Sequence, residues 1–141
     1  MARRSLLRLA LALFVPASAQ VARAQQPLPD LVRRVKPAVV SVLTYDAKDE
    51  PLISGSGFFV RPGEVVTNLH VIHGARRVEI HSLEGKGRTY PVTGTLAVDD
   101  EADLALLKVD LPIERPRSLS LSTALPEEGE QIFVIGNPLR L

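Results

Sequence analysis

The sequence predicts an all-β protein in which six short strands close into a small barrel, preceded by one short N-terminal helix. Three observations lead to this fold class. Short runs rich in β-branched and aliphatic residues follow one another from residue 38 to residue 109. Turn-forming residues separate these runs, and polar and apolar residues alternate within several of them. Short strands of this kind avoid exposed sheet edges by closing into a barrel.

The composition is typical of one folded domain with an aliphatic core. The chain has 141 residues, the size of a single domain, and 45% of them are hydrophobic. Aromatic residues make up only 4%, so the core should be mostly aliphatic. Cysteine is absent, which excludes disulfides, thiol chemistry and cysteine-based metal sites. With 17 basic and 16 acidic residues, the net charge of +1 gives no reason to expect nucleic-acid binding.

Residues 1–24 are predicted to be a cleavable signal peptide. The run 6–15 is apolar except for one arginine, follows a basic start, and precedes two small-x-small triplets that end at Ala19 and Ala24. We expect cleavage after Ala24, with cleavage after Ala19 as the alternative, and export to the periplasm or out of the cell. An uncleaved membrane anchor is the rival interpretation. A spanning helix, however, needs about 20 apolar residues, roughly twice the length of this run.

Residues 25–36 are interpreted as a linker followed by a short helix. The segment 25–29 is polar and contains proline. Asp30 is a suitable N-cap for a helix over 30–36, in which apolar residues lie on one side. Pro37 should end this helix, because proline cannot donate the next backbone hydrogen bond.

The barrel is predicted over residues 37–110. Turn-forming residues rich in glycine, proline and aspartate separate its β-rich runs. Gly94 lies inside one run and marks a point where that strand can bend. The last run begins with residues that are apolar on both faces, so it should be a central strand. The predicted strands are 38–45, 53–60, 64–68, 77–83, 90–98 and 104–109.

Residues 111–141 differ in pattern and are predicted to begin with a connector. Two prolines near its start lack the N–H that a strand ladder needs, so this segment cannot pair continuously. Alternating serine and leucine over 118–122 indicates an extended edge. A turn at 126–129 then leads into an apolar run at 131–135, which we interpret as one further strand.

His70 and Asp103 are the candidate catalytic residues. His70 lies just after the strand 64–68, in the stretch Thr-Asn-Leu-His-Val-Ile-His-Gly-Ala. Asp103 directly precedes the apolar strand 104–109 and should therefore be the most desolvated acid of its turn. A histidine can take and return a proton near neutral pH, because its unperturbed pKa is about 6.5. An acid beside it can hold the imidazole tautomer and stabilise the imidazolium.

These motifs, together with Gly-Ser-Gly-Phe-Phe-Val at 55–60, resemble those of trypsin-like serine proteases of the bacterial HtrA/Deg type. The resemblance covers roughly residues 31–139. It implies that the barrel is the first of a chymotrypsin-like double barrel, and that the strand at 131–135 begins the second. It also implies a protein or peptide substrate, hydrolysis through an acyl-enzyme with His70 and Asp103 as catalytic residues, and no cofactor. It leaves open a homo-oligomer of the complete protein.

The nucleophile of such a protease is missing from the sequence. A catalytic serine needs a tight glycine-rich turn that exposes its hydroxyl and directs backbone N–H groups at the oxyanion. No serine here has a Gly-x-Ser-Gly context, so we interpret all of them as ordinary strand and loop residues. The chain is therefore expected to be the N-terminal part of a protease that ends before its serine. The serines considered were Ser41, Ser54, Ser56, Ser82, Ser118, Ser120 and Ser122.

Other functions stay open at this point. A non-catalytic, protease-like binding domain of the periplasm is the principal alternative. An unrelated periplasmic β-barrel module would be favoured if His70 and Asp103 were far apart, whereas a triad requires the His70 ring within hydrogen-bond reach of the Asp103 carboxylate. His70 and His73 have the spacing of a metal pair, but no third ligand of suitable spacing accompanies them, so no metal site is expected. His81 is interpreted as a solvent-facing strand residue.

Overall fold

The computed structural model describes residues 27–83, 87–111 and 116–136, and within them six antiparallel strands close into a barrel. The predicted all-β barrel with a short N-terminal helix is therefore confirmed. The predicted signal peptide lies outside the described residues. The elements are α1 Leu28–Val35, a 3₁₀ turn Lys36–Ala38, β1 Val39–Tyr45, β2 Pro51–Arg61, β3 Glu64–Asn68, α2 Leu69–Ile72, β4 Arg77–Ser82, β5 Thr89–Asp99 and β6 Leu104–Val109.

The barrel closes because two strand pairs join strands that are distant in sequence. The strand order is β1-β2-β3-β6-β5-β4, and β4 returns to pair with β1. Within β1, Val42 lies opposite Gly55 of β2 on one side and Ile80 of β4 on the other. Every strand thus has a hydrogen-bonded neighbour on each side over at least part of its length, which limits the edges exposed for pairing with another chain. The predicted strands at 64–68 and 104–109 match β3 and β6 residue for residue.

The barrel interior is filled mainly by aliphatic side chains, as the composition predicted. Its two aromatic rings, Phe59 and Tyr90, meet edge to face with centroids 6.5 Å apart. Burying each large side chain contributes about 1.5–3 kcal/mol, so this interior dominates the stability of the barrel. The buried core residues are Val40, Val42, Phe59, Val65, Val71, Ile80, Tyr90, Ala105, Leu107 and Val109.

The prediction that Asp30 caps the first helix was wrong. The helix begins two residues earlier, and Pro27 is its N-cap residue. The Pro27 carbonyl accepts the backbone N–H groups of Asp30 and Leu31. Proline suits the first turn of a helix, because its missing N–H would have no intrahelical partner there. Asp30 instead lies inside this turn, where its carboxylate pairs with Arg33.

The pairing of the long strand β5 is irregular around Gly94, the residue at which the sequence predicted a bend. Its pairing register with β6 shifts between Val92 and Gly94, and again between Thr95 and Ala97. Such bulges insert unpaired residues and increase the local twist of the strand. The strand can therefore curve along the barrel wall before the chain turns into β6.

The prediction of a strand at 131–135 was also wrong. Within the described residues, 116–136 contains no strand, although the predicted turn is present and places the N–H of Glu130 3.0 Å from the carbonyl of Glu127. The extended edge expected at 118–122 does not form a strand either, but the backbone N–H of Leu119 donates to the carbonyl of Phe59 at 2.8 Å. The physical reason is that a strand needs a partner strand with free backbone groups, and no barrel strand pairs with 131–135 within the described residues.

Among the described residues, no helix has the length and apolar character needed to cross a membrane.

Gly55 leaves the space in which α2 packs against the barrel. A Cβ at this position would lie 2.6 and 2.8 Å from the two γ-methyl groups of Val71, the buried residue of α2. Real Cβ atoms do not approach other carbons this closely, so a side chain at Gly55 requires Val71 of α2 to move. Because α2 also contains His70, this glycine helps to set the position of the candidate base.

We predict that Gly55→Ala destabilises the barrel by about 1–3 kcal/mol, the usual effect of overpacking a well-packed core. Urea unfolding measures the loss, and the methyl NMR shifts of Val71 report the movement of α2. Gly94→Ala is the matched control, because a Cβ there meets nothing within 4 Å and the residue also lies in a strand. Equal unfolding midpoints for the two variants would contradict the prediction.

Candidate active site

The pairing of β3 with β6 brings His70 and Asp103 together. The two strands are antiparallel, and Asn68 at the end of β3 lies opposite Leu104 at the start of β6. The residues just beyond these positions, α2 on one side and the β5–β6 turn on the other, are therefore neighbours in space. The backbone N–H of Leu69 marks this junction by donating to the carbonyl of Asp103 at 3.1 Å. Residues 33 positions apart in sequence thus share one site.

The His70 ring is hydrogen-bonded to the Asp103 carboxylate, and this contact confirms the expectation from sequence. Nδ1 of His70 lies 2.6 Å from Oδ2 of Asp103. The backbone N–H of His70 donates to the other oxygen, Oδ1, at 2.9 Å. An ionised carboxylate only accepts hydrogen bonds, so the proton of the first bond belongs to Nδ1. In the neutral ring, Nε2 then carries a free lone pair.

Asp103 holds this position with a left-handed backbone conformation. Its φ is 53°, a region that residues other than glycine rarely adopt, although aspartate is several-fold enriched there. The Asp103 N–H bonds to the carbonyl of Asp100 across the turn, at 3.4 Å. Its carbonyl accepts the side-chain amide of Asn68 at 3.1 Å, in addition to the N–H of Leu69. The turn therefore fixes the direction in which the carboxylate leaves the main chain.

The Asp103 carboxylate is charged and partly shielded. Its side chain is 42% exposed, whereas Asp99, Asp100 and Glu101 are exposed, so Asp103 is the most shielded acid of the turn, as the sequence predicted. The backbone N–H of His70 lowers the pKa of Asp103 below its ordinary range, and the hydrogen bond from the His70 ring adds to this effect. Asp103 is therefore ionised at neutral pH and can stabilise a positive charge on the imidazole.

The opposite side of the His70 ring is accessible. The His70 side chain is 67% exposed, and among the described residues its Nε2 atom has no hydrogen-bond partner. An imidazole that is held at Nδ1 and accessible at Nε2 can accept a proton from a hydroxyl and return it later. This is the chemistry of the base in a nucleophilic triad.

The sequence pattern of the family described as "Trypsin-like peptidase domain" matches residues 55–141. The chain belongs to the trypsin-like peptidase family. "Serine protease HTRA1A" of Danio rerio is 35% identical over 118 residues, which cover 79% of this chain and 24% of that relative. "Serine protease HTRA2, mitochondrial" of Bos taurus is 33% identical over 118 residues, with 79% and 25% covered. "Protease Do-like 1, chloroplastic" of Arabidopsis thaliana is 33% identical over 100 residues, with 70% and 22% covered.

Membership of this family confirms the resemblance to HtrA-type proteases that the sequence motifs indicated. The chain spans about a quarter of the length of the curated relatives it matches. The interpretation as an unrelated β-barrel module required that His70 and Asp103 be far apart, and the contact of 2.6 Å removes its basis.

The other histidines do not join this pair. His73 is the C-cap of α2, and its backbone N–H donates to the carbonyl of Leu69 at 3.1 Å. His81 lies on β4 with a partly exposed side chain, and its Nε2 is 3.3 Å from Oε2 of Glu79.

Asn68 was missed by the sequence analysis, although it contacts the Asp103 carboxylate directly, at 3.2 Å. The only signal for it in the sequence was its position at the end of the predicted strand, two residues before His70.

A second polar cluster surrounds Glu79 on β4 and stabilises the seam between β1 and β4. The Arg77 guanidinium lies 3.7 Å from the centre of the Tyr45 ring and bonds to Asp49 and Glu79. The Tyr45 hydroxyl donates to Glu79 at 3.0 Å. Burial alone would raise the pKa of Glu79, but the hydrogen bonds from His81 and Tyr45 and the charge of Arg77 hold it below its ordinary value. The cluster joins the β1–β2 loop to β4.

The lowered pKa of Asp103 predicts how acid affects the barrel. A carboxyl group whose pKa is depressed by folding stabilises the protein above its unfolded-state pKa, ordinarily 3.8, and this contribution disappears as the pH falls through the lower folded-state pKa. Asp103→Asn removes the titrating group. We therefore expect parent and variant to differ in stability at neutral pH and to converge below about pH 4.

Urea unfolding of both proteins as a function of pH measures this convergence. Asp100→Asn is the matched control, because it removes an exposed acid of the same turn and should follow the parent over the whole range. A stability difference between parent and Asp103→Asn that stays constant through the acid range would show that the carboxylate contributes nothing by its charge.

Proposed function

We propose that this chain supplies two members of a Ser-His-Asp triad, with His70 as the general base and Asp103 as the orienting carboxylate. The complete protein then hydrolyses peptide bonds in protein or peptide substrates. The observation that carries the proposal is the hydrogen bond of 2.6 Å between Nδ1 of His70 and Oδ2 of Asp103, in a chain of the trypsin-like peptidase family. The accessible Nε2 side of the ring supports it further.

The proposed roles follow from the positions of the protons. A serine hydroxyl gives its proton to Nε2 of His70 as its oxygen attacks the substrate carbonyl carbon, and the ring becomes an imidazolium. Asp103 accepts a hydrogen bond from Nδ1 throughout and stabilises the positive charge without taking the proton itself. The imidazolium then protonates the leaving amine, and a water molecule, deprotonated by the same ring, hydrolyses the acyl-enzyme.

We assign the serine to a Gly-x-Ser-Gly segment that follows residue 141 in the complete protein. The support is that no serine of the sequence has this context. In the described structure, Ser41 and Ser82 are buried in the barrel wall, and the Ser122 hydroxyl donates to the carbonyl of Ala124 at 3.3 Å. None of these three hydroxyls is suited to attack a substrate.

The decisive experiment is peptide hydrolysis by the complete protein with substitutions at the pair. We predict that His70→Ala or Asp103→Asn lowers kcat by roughly 10⁴-fold, because the base is lost or the imidazole takes the wrong tautomer. Asp100→Asn, the exposed acid of the same turn, is the control and should retain parental kcat. Parental hydrolysis by His70→Ala would contradict the proposal.

A fluorophosphonate probe distinguishes the triad from the principal alternative. The probe labels only an activated serine, so the complete protein should be labelled and its His70→Ala variant should not. The 141-residue chain alone should remain unlabelled. A complete protein that binds peptides but is neither labelled nor hydrolytic would favour a non-catalytic, protease-like binding domain.

We also propose that the protein is exported to the periplasm or secreted, with residues 1–24 removed by signal peptidase. The support is the basic start, the short apolar run and the small residues before Ala24. We predict that N-terminal sequencing of the protein from its native host begins at Gln25, or at Gln20 if cleavage follows Ala19. A mature protein that retains Met1 would contradict export by this route.

A further inference from the structure

The side chain of Asn68 makes two contacts with Asp103. It is the last residue of β3, and its side-chain Nδ2 donates to the carbonyl oxygen of Asp103 at 3.1 Å and to carboxylate Oδ2 at 3.2 Å. Oδ2 is also the oxygen that accepts Nδ1 of His70. One amide group therefore bridges the main chain and the side chain of the same acid.

This bridge restricts the rotation of the Asp103 carboxylate, which the other contacts leave partly free. The Asp103 side chain is 42% exposed, so water competes for its oxygens and its carboxylate could rotate away from the ring. The backbone N–H of His70 holds Oδ1, but it does not fix the distance from Oδ2 to the ring. A donor that contacts both the Asp103 carbonyl and Oδ2 restricts the rotation of the side chain relative to its own backbone.

The chemical type of the donor also matters. An asparagine amide is neutral, so it orients the carboxylate without cancelling its charge. A lysine or arginine at this position would neutralise Asp103 and weaken its attraction for an imidazolium. The geometry therefore combines a fixed carboxylate with an undiminished negative charge.

We propose that Asn68 is a positioning residue, whose carboxamide holds the Asp103 carboxylate in the orientation that keeps His70 as the Nδ1–H tautomer. The consequence for catalysis rests on the proposed function, whereas the effect on the tautomer can be measured in this chain by itself. A purely structural Asn68, which only closes the junction between β3 and the β5–β6 turn, would affect stability and leave the tautomer unchanged.

The experiment is ¹⁵N NMR of the His70 imidazole in the 141-residue chain, at a pH where the ring is neutral. The parent should show the Nδ1–H tautomer and a low-field proton resonance from the bond to Asp103. In Asn68→Ala we expect loss of the low-field resonance and a mixture of both tautomers. Asp103→Ala should show the same loss, and the charge control Asp100→Asn should match the parent.

Asn68→Asp is a second variant that tests the proposal if Asn68→Ala does not fold. It keeps the size of the side chain and is a residue type suited to the N-cap position of α2, but it replaces the amide donor with a carboxylate beside Oδ2. Folding is verified by the methyl resonances of Val71 and Ile80, both buried in the core. If Asn68→Ala does not fold, loss of the Nδ1–H tautomer in Asn68→Asp supports the proposal. Retention of the tautomer in any folded Asn68 variant that lacks the amide overturns it.

The same variants separate this inference from the proposed function. In the complete protein, Asn68→Ala should lower kcat by up to about 100-fold with little change in KM, as expected when a reacting group is misplaced. If the parent chain shows the Nδ1–H tautomer but the complete protein does not hydrolyse peptides, the proposed triad is overturned. The positioning of Asp103 by Asn68 would still stand. An unchanged tautomer in Asn68→Ala would overturn only the role of Asn68.

Discussion

The register between β3 and β6 is the constraint on which the rest of the molecule depends. These strands are far apart in sequence, and their pairing, with Asn68 opposite Leu104, helps to close the barrel and brings α2 against the β5–β6 turn. A shift of one residue would turn every side chain of one strand to the other face, so either the buried Val65 of β3 or the buried Leu107 of β6 would leave the core. Core packing therefore protects the register, and the register positions His70 beside Asp103.

Closure of the barrel also limits what the rest of the chain can do. All six strands have barrel neighbours on both sides, and the apolar residues that follow pair with none of them in the described structure, so Ile132 and Val134 are exposed. Tight packing has a similar consequence inside the barrel, where α2 can approach β2 only because Gly55 has no side chain. The position of the candidate base thus depends on a residue that carries no chemistry of its own.

Most of the fold could be predicted from sequence, because alternation and turn residues are local signals. The limits of β3 and β6 were found in this way, whereas the approach of His70 to Asp103 was expected from the combined motifs and their resemblance to HtrA-type proteases. The errors arose where the outcome depends on non-local partners or on competing local signals. The run at 131–135 has strand character but no neighbour, and the first helix begins at Leu28, with Pro27 as its N-cap, ahead of Asp30. Asn68 could not be identified, because its contacts exist only after β3 and β6 have paired.

The exposure of the pair indicates what this chain contributes to the proposed triad. An ion pair that is largely in water gains little energy, because the solvent screens it and competes for its hydrogen bonds. The fold therefore provides orientation rather than binding energy. It directs three donors at the Asp103 carboxylate, namely the His70 backbone N–H, the His70 ring and the Asn68 amide. In the proposed triad, a serine-bearing segment and a bound substrate would cover the ring and exclude water. The same charges would then interact more strongly in the lower dielectric, without any change in their geometry.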